Sequence, residues 1–364
     1  MRVLMISKAC VVGLYQRKLE EMARCGVDLT VIVPPVWEDP SGPHPLERAH
    51  TEGYALIEAP LHFNGNFHLF YFPTLPRLIR TYRPDLLHID EEPYNLAAWH
   101  ALYHAGRAKA KTVLFTWQNI SRRYPPPFRW GEAWALRRTD ALIAGTHGAA
   151  EVWRAKGYTG RLPVIPQFGV DPDQFRPGPL PADPVIGYVG RLVPEKGVDL
   201  AIRAVAALQR EGRPIRLRIV GSGPEREPLA ALAAELSAPV EFVGKVASTE
   251  MPTVYPPLTA LVVPSRTRPN WKEQFGRVIT EAMAAGVPVI GADSGAIPDV
   301  IGEAGLLFPE DDLAGLIEAV RRVLDSPELA AELARRGRER VIAHYTHRAV
   351  AEQTVALYRE LLST

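Results

Sequence analysis

Short apolar runs alternate with helical patterns through the first 165 residues, stop at a cluster of prolines, and then begin again. Few folds tolerate that rhythm. Apolar runs of four to six residues without period-two alternation read as strands covered on both faces, and the helices between them are the crossovers that parallel strands require. In the first half the expected strands are residues 3–6, 29–33, 55–59, 86–89, 112–115, 141–144 and 163–165, with helices at 14–25, 93–105, 131–138 and 149–156. The pattern breaks over residues 166–181, where prolines cluster, which marks a domain boundary. It resumes with strands at 185–189, 217–220, 240–243, 260–263 and 287–290, and with helices from Leu313 and Pro327 onward. Two α/β, Rossmann-like lobes with mostly parallel sheets are therefore expected, with a ligand cleft between them. The expected divisions are residues 1–170, 171–346, and a C-terminal helix over 347–364. That helix carries Val350, Thr354, Leu357 and Leu361 at helical spacing, and either caps the second lobe or crosses back to the first.

At 364 residues the chain is long enough for two sizeable cores. A formal net charge of +1 argues against bulk nucleic-acid binding. Only two cysteines occur, Cys10 and Cys25, which fits a reduced compartment better than a disulfide scaffold. No apolar run approaches the roughly 18 to 20 residues of a membrane span. Met1-Arg-Val-Leu-Met-Ile-Ser7 is too short for a signal peptide and reads as a first strand. The expected location is the cytoplasm.

Chemistry concentrates in two segments. Trp271-Lys-Glu-Gln-Phe-Gly-Arg-Val-Ile-Thr-Glu-Ala-Met-Ala-Ala-Gly286 places Glu273 in a loop and Glu281, eight residues on, within a helix over 278–285. The amides of residues 274–278 would then lie at a helix N-terminus, where free N–H groups and the positive end of the dipole favour an anion. A diphosphate cradle flanked by two carboxylates that accept from hydroxyls is what a nucleotide-sugar needs. The competing reading is two solvated glutamates beside an ordinary amphipathic helix. The second segment, residues 185–197, is a buried strand ending at Gly190 and a loop carrying Arg191 and Lys196. A planar fork and a point charge together suit two linked phosphates, and strand ends are where open α/β sheets collect ligands.

These segments stand in order with others: Gly190-Arg-Leu-Val-Pro-Glu-Lys-Gly197, Val220-Gly-Ser-Gly223, Phe242-Val-Gly-Lys-Val246, the two-glutamate stretch, and Pro288-Val-Ile-Gly-Ala-Asp-Ser-Gly-Ala-Ile-Pro298. Together they resemble the GT-B fold glycosyltransferases, most of all family 4 of the retaining, nucleotide-sugar-dependent enzymes, strongly over 183–308 and more weakly before. The resemblance implies a hexosyltransferase-like enzyme that needs neither cofactor nor metal. Its first lobe would bind an acceptor hydroxyl on a glycan, lipid-linked molecule or small molecule, in polysaccharide or glycoconjugate synthesis, and its second lobe a nucleoside-diphosphate sugar. By the same resemblance Arg191 and Lys196 hold the diphosphate, and Glu273 meets hydroxyls of the transferred sugar. Glu281 takes the ribose, Gly190, Gln274, Phe275, Gly276 and Arg277 line the donor, and Lys245 lies near the nucleobase. Gly13, in Ala9-Cys-Val-Val-Gly-Leu-Tyr15, resembles the small residue of the first-lobe loop, although the family often has a glycine pair there. Asp171-Pro-Asp173 resembles the interdomain turn rather than a metal-binding pair.

One departure stands out. Family members often place a histidine after Thr in a turn facing the transferred sugar, whereas this chain reads Thr116-Trp-Gln-Asn-Ile120. Gln118 or Asn119 could hydrogen-bond a sugar there, but neither shuttles a proton. Asp90, in His88-Ile-Asp-Glu-Glu-Pro93, is the other acceptor-side candidate, against a reading in which the acids cap the next helix. Two rival activities share these features: a nucleotide-sugar epimerase of the same architecture, and a non-catalytic nucleotide-sugar-binding subunit. Residues 122–138 mix arginines with Trp130, Trp134 and Phe128, a composition that suits peripheral contact with an anionic inner membrane face or a grip on a lipid-linked acceptor, and equally suits packing against the protein itself. Salt-sensitive co-sedimentation with anionic liposomes would mark membrane contact, and no co-sedimentation would remove the membrane from the picture.

Overall fold

The computed structural model describes residues 1–39, 42–179 and 181–363, which divide into two compact units. Met1–Gly169 form the first together with the chain from His347 onward, and Val170–Thr346 form the second.

The first unit begins with β1 (Arg2–Ile6), α1 (Arg17–Arg24), β2 (Asp28–Val33), β3 (Val36–Asp39), β4 (Gly42–Pro45) and β5 (Ala55–Glu58). It continues through α2 (Leu75–Tyr82), β6 (Leu86–Ile89), α3 (Leu96–Ala108), β7 (Lys111–Thr116), α4 (Phe128–Arg138), β8 (Ala141–Ala144) and α5 (His147–Ala155). Six strands pair in parallel in the order β5-β2-β1-β6-β7-β8. Period two explains the unbroken apolar runs. Along β1, Val3 and Met5 enter one core with Leu29, Val31 and Phe115, while Leu4 and Ile6 enter another with Ile32, Leu87 and Leu114. Both faces are buried, so no polar side is left for alternation to mark.

The second unit repeats the plan with β9 (Val185–Val189), α6 (Val198–Arg210), β10 (Arg216–Val220), α7 (Arg226–Glu235), β11 (Val240–Gly244) and β12 (Ala260–Val263). Then come α8 (Arg277–Ala284), β13 (Val289–Ala292), α9 (Ile297–Ile301), β14 (Leu306–Phe308), α10 (Leu313–Asp325) and α11 (Pro327–His344). Its parallel sheet runs β11-β10-β9-β12-β13-β14. The stripe Val198, Ala201, Val205 and Leu208 of α6 packs with Ile186, Leu217 and Ile219, each burial worth about 1.5–3 kcal/mol for the larger side chains.

The last helix, α12 (His347–Leu362), settles what its spacing left open. Val350, Val355, Leu357, Tyr358 and Leu361 enter the first unit's core beside Leu19 and Met22 of α1.

Several local expectations need correction. Residues 163–165 form no strand: Val164 makes only an isolated bridge to Ala144, because Pro163 and Pro166 bracket the run and neither can donate to a ladder. The helix expected over 14–25 is split into a 3₁₀ turn, Gly13–Gln16, and α1. Prolines hid the antiparallel pair β3/β4, and α2, α9 and β14 were not anticipated.

Candidate functional site

In the second unit's sheet, β10 and β11 lie on one side of β9, and β12 to β14 on the other. The strand order therefore reverses between β9 and β12, and the loops leaving their carboxyl ends stand at the switch point where open α/β sheets take ligands. The candidate residues of this unit stand mainly on those two loops.

After β9, the chain turns tightly. The amides of Gly190 and Leu192 donate to the carbonyls of Val220 and Ser222, each at 2.9 Å, and the Tyr188 hydroxyl donates to the Arg191 carbonyl at 2.7 Å. A Cβ at Gly221 would sit 1.8 Å from the Gly190 carbonyl oxygen, so the glycine is what lets the two loops lie against each other. Lys196 ends a single 3₁₀ turn, Pro194–Lys196, closed by Gly197 at φ 64°. A Cβ on Gly197 would meet the Pro264 carbonyl at 2.0 Å, so this residue brings the lysine's turn onto the loop after β12.

That second loop is fastened to the first. The Arg266 amide donates to the Glu195 carbonyl at 2.8 Å, and its guanidinium grips both oxygens of Asp199 at 2.6 and 2.9 Å. Burial pushes the Asp199 carboxyl up, but the hydrogen bonds and charge of Arg266 outweigh it and hold the group below the usual carboxylate range. Arg268 and Trp271 exchange backbone hydrogen bonds of 2.8 and 3.2 Å, which folds the tip back and sets the Trp271 ring 5.0 Å from Lys196 Nζ. Lys196 Nζ lies 2.5 Å from Glu273 Oε2, which also accepts from Ser265 Oγ at 3.0 Å. Glu273 is only 7% exposed, so the reading of two solvated glutamates fails for it.

It fails for Glu281 too. On the second turn of α8, Glu281 is half-buried and accepts from the hydroxyl of Tyr255, a fully buried residue. Burial first, and the Glu281 charge second, push the Tyr255 phenol well above its ordinary pKa. Gly276 precedes α8 at φ 75° and has no side chain to cap the helix. Beside it Gln274 and Arg277 are exposed, while Phe275 is buried edge-on to Tyr345. Arg191 and Lys245 are exposed at the ends of β9 and β11 and make no ion pair among the described residues. Lys196 and Glu273 are thus brought into contact, Arg191 stands on the lysine's own loop, and Glu281 has a separate partner. Asp171 is engaged locally, accepting from the Asp173 amide and from Gln174 Nε2.

In the first unit the sheet order reverses between β1 and β6, and the acids after β6 lie there. Asp90 is buried and accepts from Ser7 Oγ at 2.6 Å and Gln167 Nε2 at 2.9 Å. Glu91 pairs with Lys8, and Glu92 accepts from Thr116 Oγ1 at 2.6 Å and the Trp117 amide at 2.7 Å. None of the three caps α3: Asn95 does, accepting from the Ala98 amide at 3.0 Å, which corrects the capping explanation for the acids. Gly13 donates its amide to Glu47 Oε2 at 2.6 Å, and a Cβ there would meet Ala49 Cβ at 2.7 Å. Gln118, just beyond β7, is buried and takes a hydrogen bond from Lys156 Nζ at 3.2 Å, while Asn119 is half-buried beside it. Sequence reasoning missed Lys156, Glu132 and Tyr255, whose partners are distant in sequence. The basic and aromatic residues of 122–138 span the loop before α4 and α4 itself, with Trp130 exposed, and no helix among the described residues is long and apolar enough to cross a membrane.

Two buried groups here titrate against each other. Burial raises Glu92 to about 7 from an ordinary 4.5, so its contribution to stability is full below pH 4.5 and is lost as pH rises through 7. Burial lowers His88 to about 4 from 6.5, and its contribution is present above 6.5 and lost as pH falls through 4. Over about pH 4.5–6.5 the slopes oppose. Glu92→Gln removes one of them, so the variant should gain up to about 3 kcal/mol relative to wild type between those limits. Urea denaturation at both ends of the window measures it; parallel wild-type and variant profiles would contradict the assignment of Glu92.

Comparison with known proteins places these features in context. The model for glycosyl transferases group 1 matches residues 171–340, and that for glycosyltransferase family 4 matches 16–174. A 2-deoxystreptamine glucosyltransferase of Streptomyces kanamyceticus is 34% identical over 249 residues, covering 64% of this chain and 63% of that protein. The chain thus spans a little under two thirds of that relative's length. In fold, it is similar to a sucrose-phosphate synthase from Thermosynechococcus elongatus (TM-score 0.72, 24% identity, 100% and 99% of the two chains covered). It is also similar to Anabaena HepE in complex with UDP (TM-score 0.75, 18% identity, 99% and 100% covered).

Proposed function

The chain belongs to the group 1 and family 4 glycosyltransferases of the GT-B fold, and from that premise we propose that it moves a sugar from a nucleoside diphosphate to an acceptor hydroxyl with the anomeric configuration kept. The observation that carries the proposal is the Lys196–Glu273 pair at the sheet's reversal point, with the exposed Arg191 on the same loop and the N-terminus of α8 beyond. On this reading Arg191 and Lys196 meet the two phosphates and take up the charge that develops as the sugar–phosphate bond breaks. Two cations, one of them held in place, can take the part a divalent metal plays in other sites, so transfer should not require one. Gly190, Gln274, Phe275, Gly276 and Arg277 would border the donor, Glu281 its ribose and Lys245 its base. A uridine nucleotide is the first donor to try, since UDP is bound in the HepE structure.

No second carboxylate is assigned to attack the sugar, so the acceptor enters on the face the leaving group departs from. The departing phosphate oxygen takes the acceptor's proton, the new glycosidic bond forms, and the nucleoside diphosphate leaves. Proximity and electrostatics supply the acceleration. The test is a panel of nucleoside diphosphates and their sugars, read by thermal shift and by slow donor hydrolysis with a chelator present. One class of nucleotide should raise the melting temperature and its sugar form should be hydrolysed. A silent panel would refute the proposal; conversion of the sugar without its release would point to an epimerase, and stabilisation without turnover to a binding subunit.

A further inference from the structure

Gln118 is 6% exposed, and its Nε2 has no hydrogen-bond partner among the described residues. Leaving a buried donor unmet costs about 1–3 kcal/mol, and a native fold that keeps one calls for an explanation. The surroundings fix which way round the amide sits. Lys156 Nζ faces it at 3.2 Å, and an ammonium can only donate, so the atom toward Lys156 has to be the carbonyl oxygen and the NH₂ has to face elsewhere. Lys156 is itself fixed, 2.7 Å from Glu132 Oε2 and 4.4 Å from the centroid of the Trp153 ring. Trp153 Nε1 donates to Thr116 Oγ1 at 2.9 Å, and that hydroxyl in turn accepts from the Gln118 amide nitrogen of the backbone at 3.1 Å. The backbone N–H and the side-chain oxygen of Gln118 are both committed, which leaves the NH₂ of the side chain, at the carboxyl end of β7.

We infer that Lys156, held by Glu132, is a positioning residue that locks the Gln118 carboxamide so that its NH₂ donates to a hydroxyl oxygen of the bound sugar or acceptor. The inference rests on the proposed glycosyl transfer and adds to it a polarity: this contact supplies a hydrogen to an uncharged oxygen and takes none. An ionisable residue here could trade roles with its protonation state. An amide pinned by an ammonium cannot.

Steady-state transfer with the donor found by the nucleotide panel tests this in five variants. Gln118→Glu keeps an oxygen for Lys156 but has no hydrogen to give, and should lower kcat/KM about 10²-fold, the effect of one lost hydrogen bond and one carboxylate set against a hydroxyl oxygen. Lys156→Met should lower it about 10-fold, with Lys156→Arg, still a pure donor, recovering most of the loss. The Gln118→Met, Lys156→Met double variant should lose no more than Gln118→Met alone, because Lys156 acts only through the amide. A merely structural Lys156 would instead give additive losses that track melting temperature. Near-normal turnover by Gln118→Glu, or additive losses in the double variant, overturns the inference while the transfer reading stands. A wild-type protein that turns over no donor overturns both.

Discussion

Lys196→Ala should lower kcat by about 10²–10³ with the fold retained. A single charge-stabilising donor at a reacting centre is worth about 2.7–4 kcal/mol when it acts in the transition state, which converts to that range. Lys196 is suited to this because its ammonium is not free to wander. Glu273 Oε2 holds it at 2.5 Å, the Trp271 ring lies beside it, and Gly197 seats its turn on the Pro264 carbonyl. The substitution has a second consequence that must be kept separate. Removing one partner of a buried ion pair leaves the other charged and unpaired, at a cost of about 3–5 kcal/mol in a dry site. This pair keeps 19% and 10% side-chain exposure, and Ser265 still donates to Glu273, so the loss of stability should fall well below that limit. Measuring kcat well below the variant's melting temperature keeps the two apart: a rate that stays low while the protein is folded places the defect in chemistry rather than in folding. Near-normal kcat in Lys196→Ala would refute the leaving-group role.

The architecture was legible because buried parallel strands leave a strong mark. Runs such as 3–6 and 260–263 are apolar throughout and are separated by helical stripes, so two sheets could be read without knowing any contact. Elements without that mark were lost. The β3/β4 pair is built from a proline-rich stretch, and β14 is three residues long, with Leu307 exposed. The same contrast runs through the candidate site. Arg191 and Lys196 lie beside glycines in the loop at a strand end, and Glu273 and Glu281 flank Gly276 at a spacing of eight, so local pattern announces them. Their restraints do not. The bidentate grip of Arg266 on Asp199 joins residues 67 positions apart, and Lys156 reaches Gln118 across 38. Side-chain pairs of that kind are set by how the layers stack, so a linear pattern carries no sign of them. The solvated reading of the two glutamates was plausible from spacing alone for the same reason: nothing local foretells that Ser265 and Tyr255 will each donate to one of them.

Glu281→Ala should raise the donor dissociation constant about 10- to 100-fold and leave kcat at saturating donor close to wild type. A carboxylate accepting hydrogen bonds from hydroxyls contributes about 1.5–3 kcal/mol per bond, and binding of the ribose is the same in ground and transition states. Uniform binding of that sort changes affinity, not the chemical step. Glu281 can serve because the Tyr255 hydroxyl engages its Oε2 alone among the described residues, and its side chain is half-buried rather than enclosed. Alanine at this position also strands the Tyr255 hydroxyl in a fully buried place, which costs about 1–3 kcal/mol of stability. Tyr255→Phe supplies the control, since it removes that hydroxyl while leaving the carboxylate. Adding Tyr255→Phe to Glu281→Ala should restore melting temperature without restoring affinity. Titration calorimetry with the donor nucleotide measures the affinity, and a thermal melt measures the stability. An unchanged dissociation constant in Glu281→Ala would take this residue off the ribose, and recovery of affinity along with stability in the double variant would make the glutamate a partner for Tyr255 and nothing more.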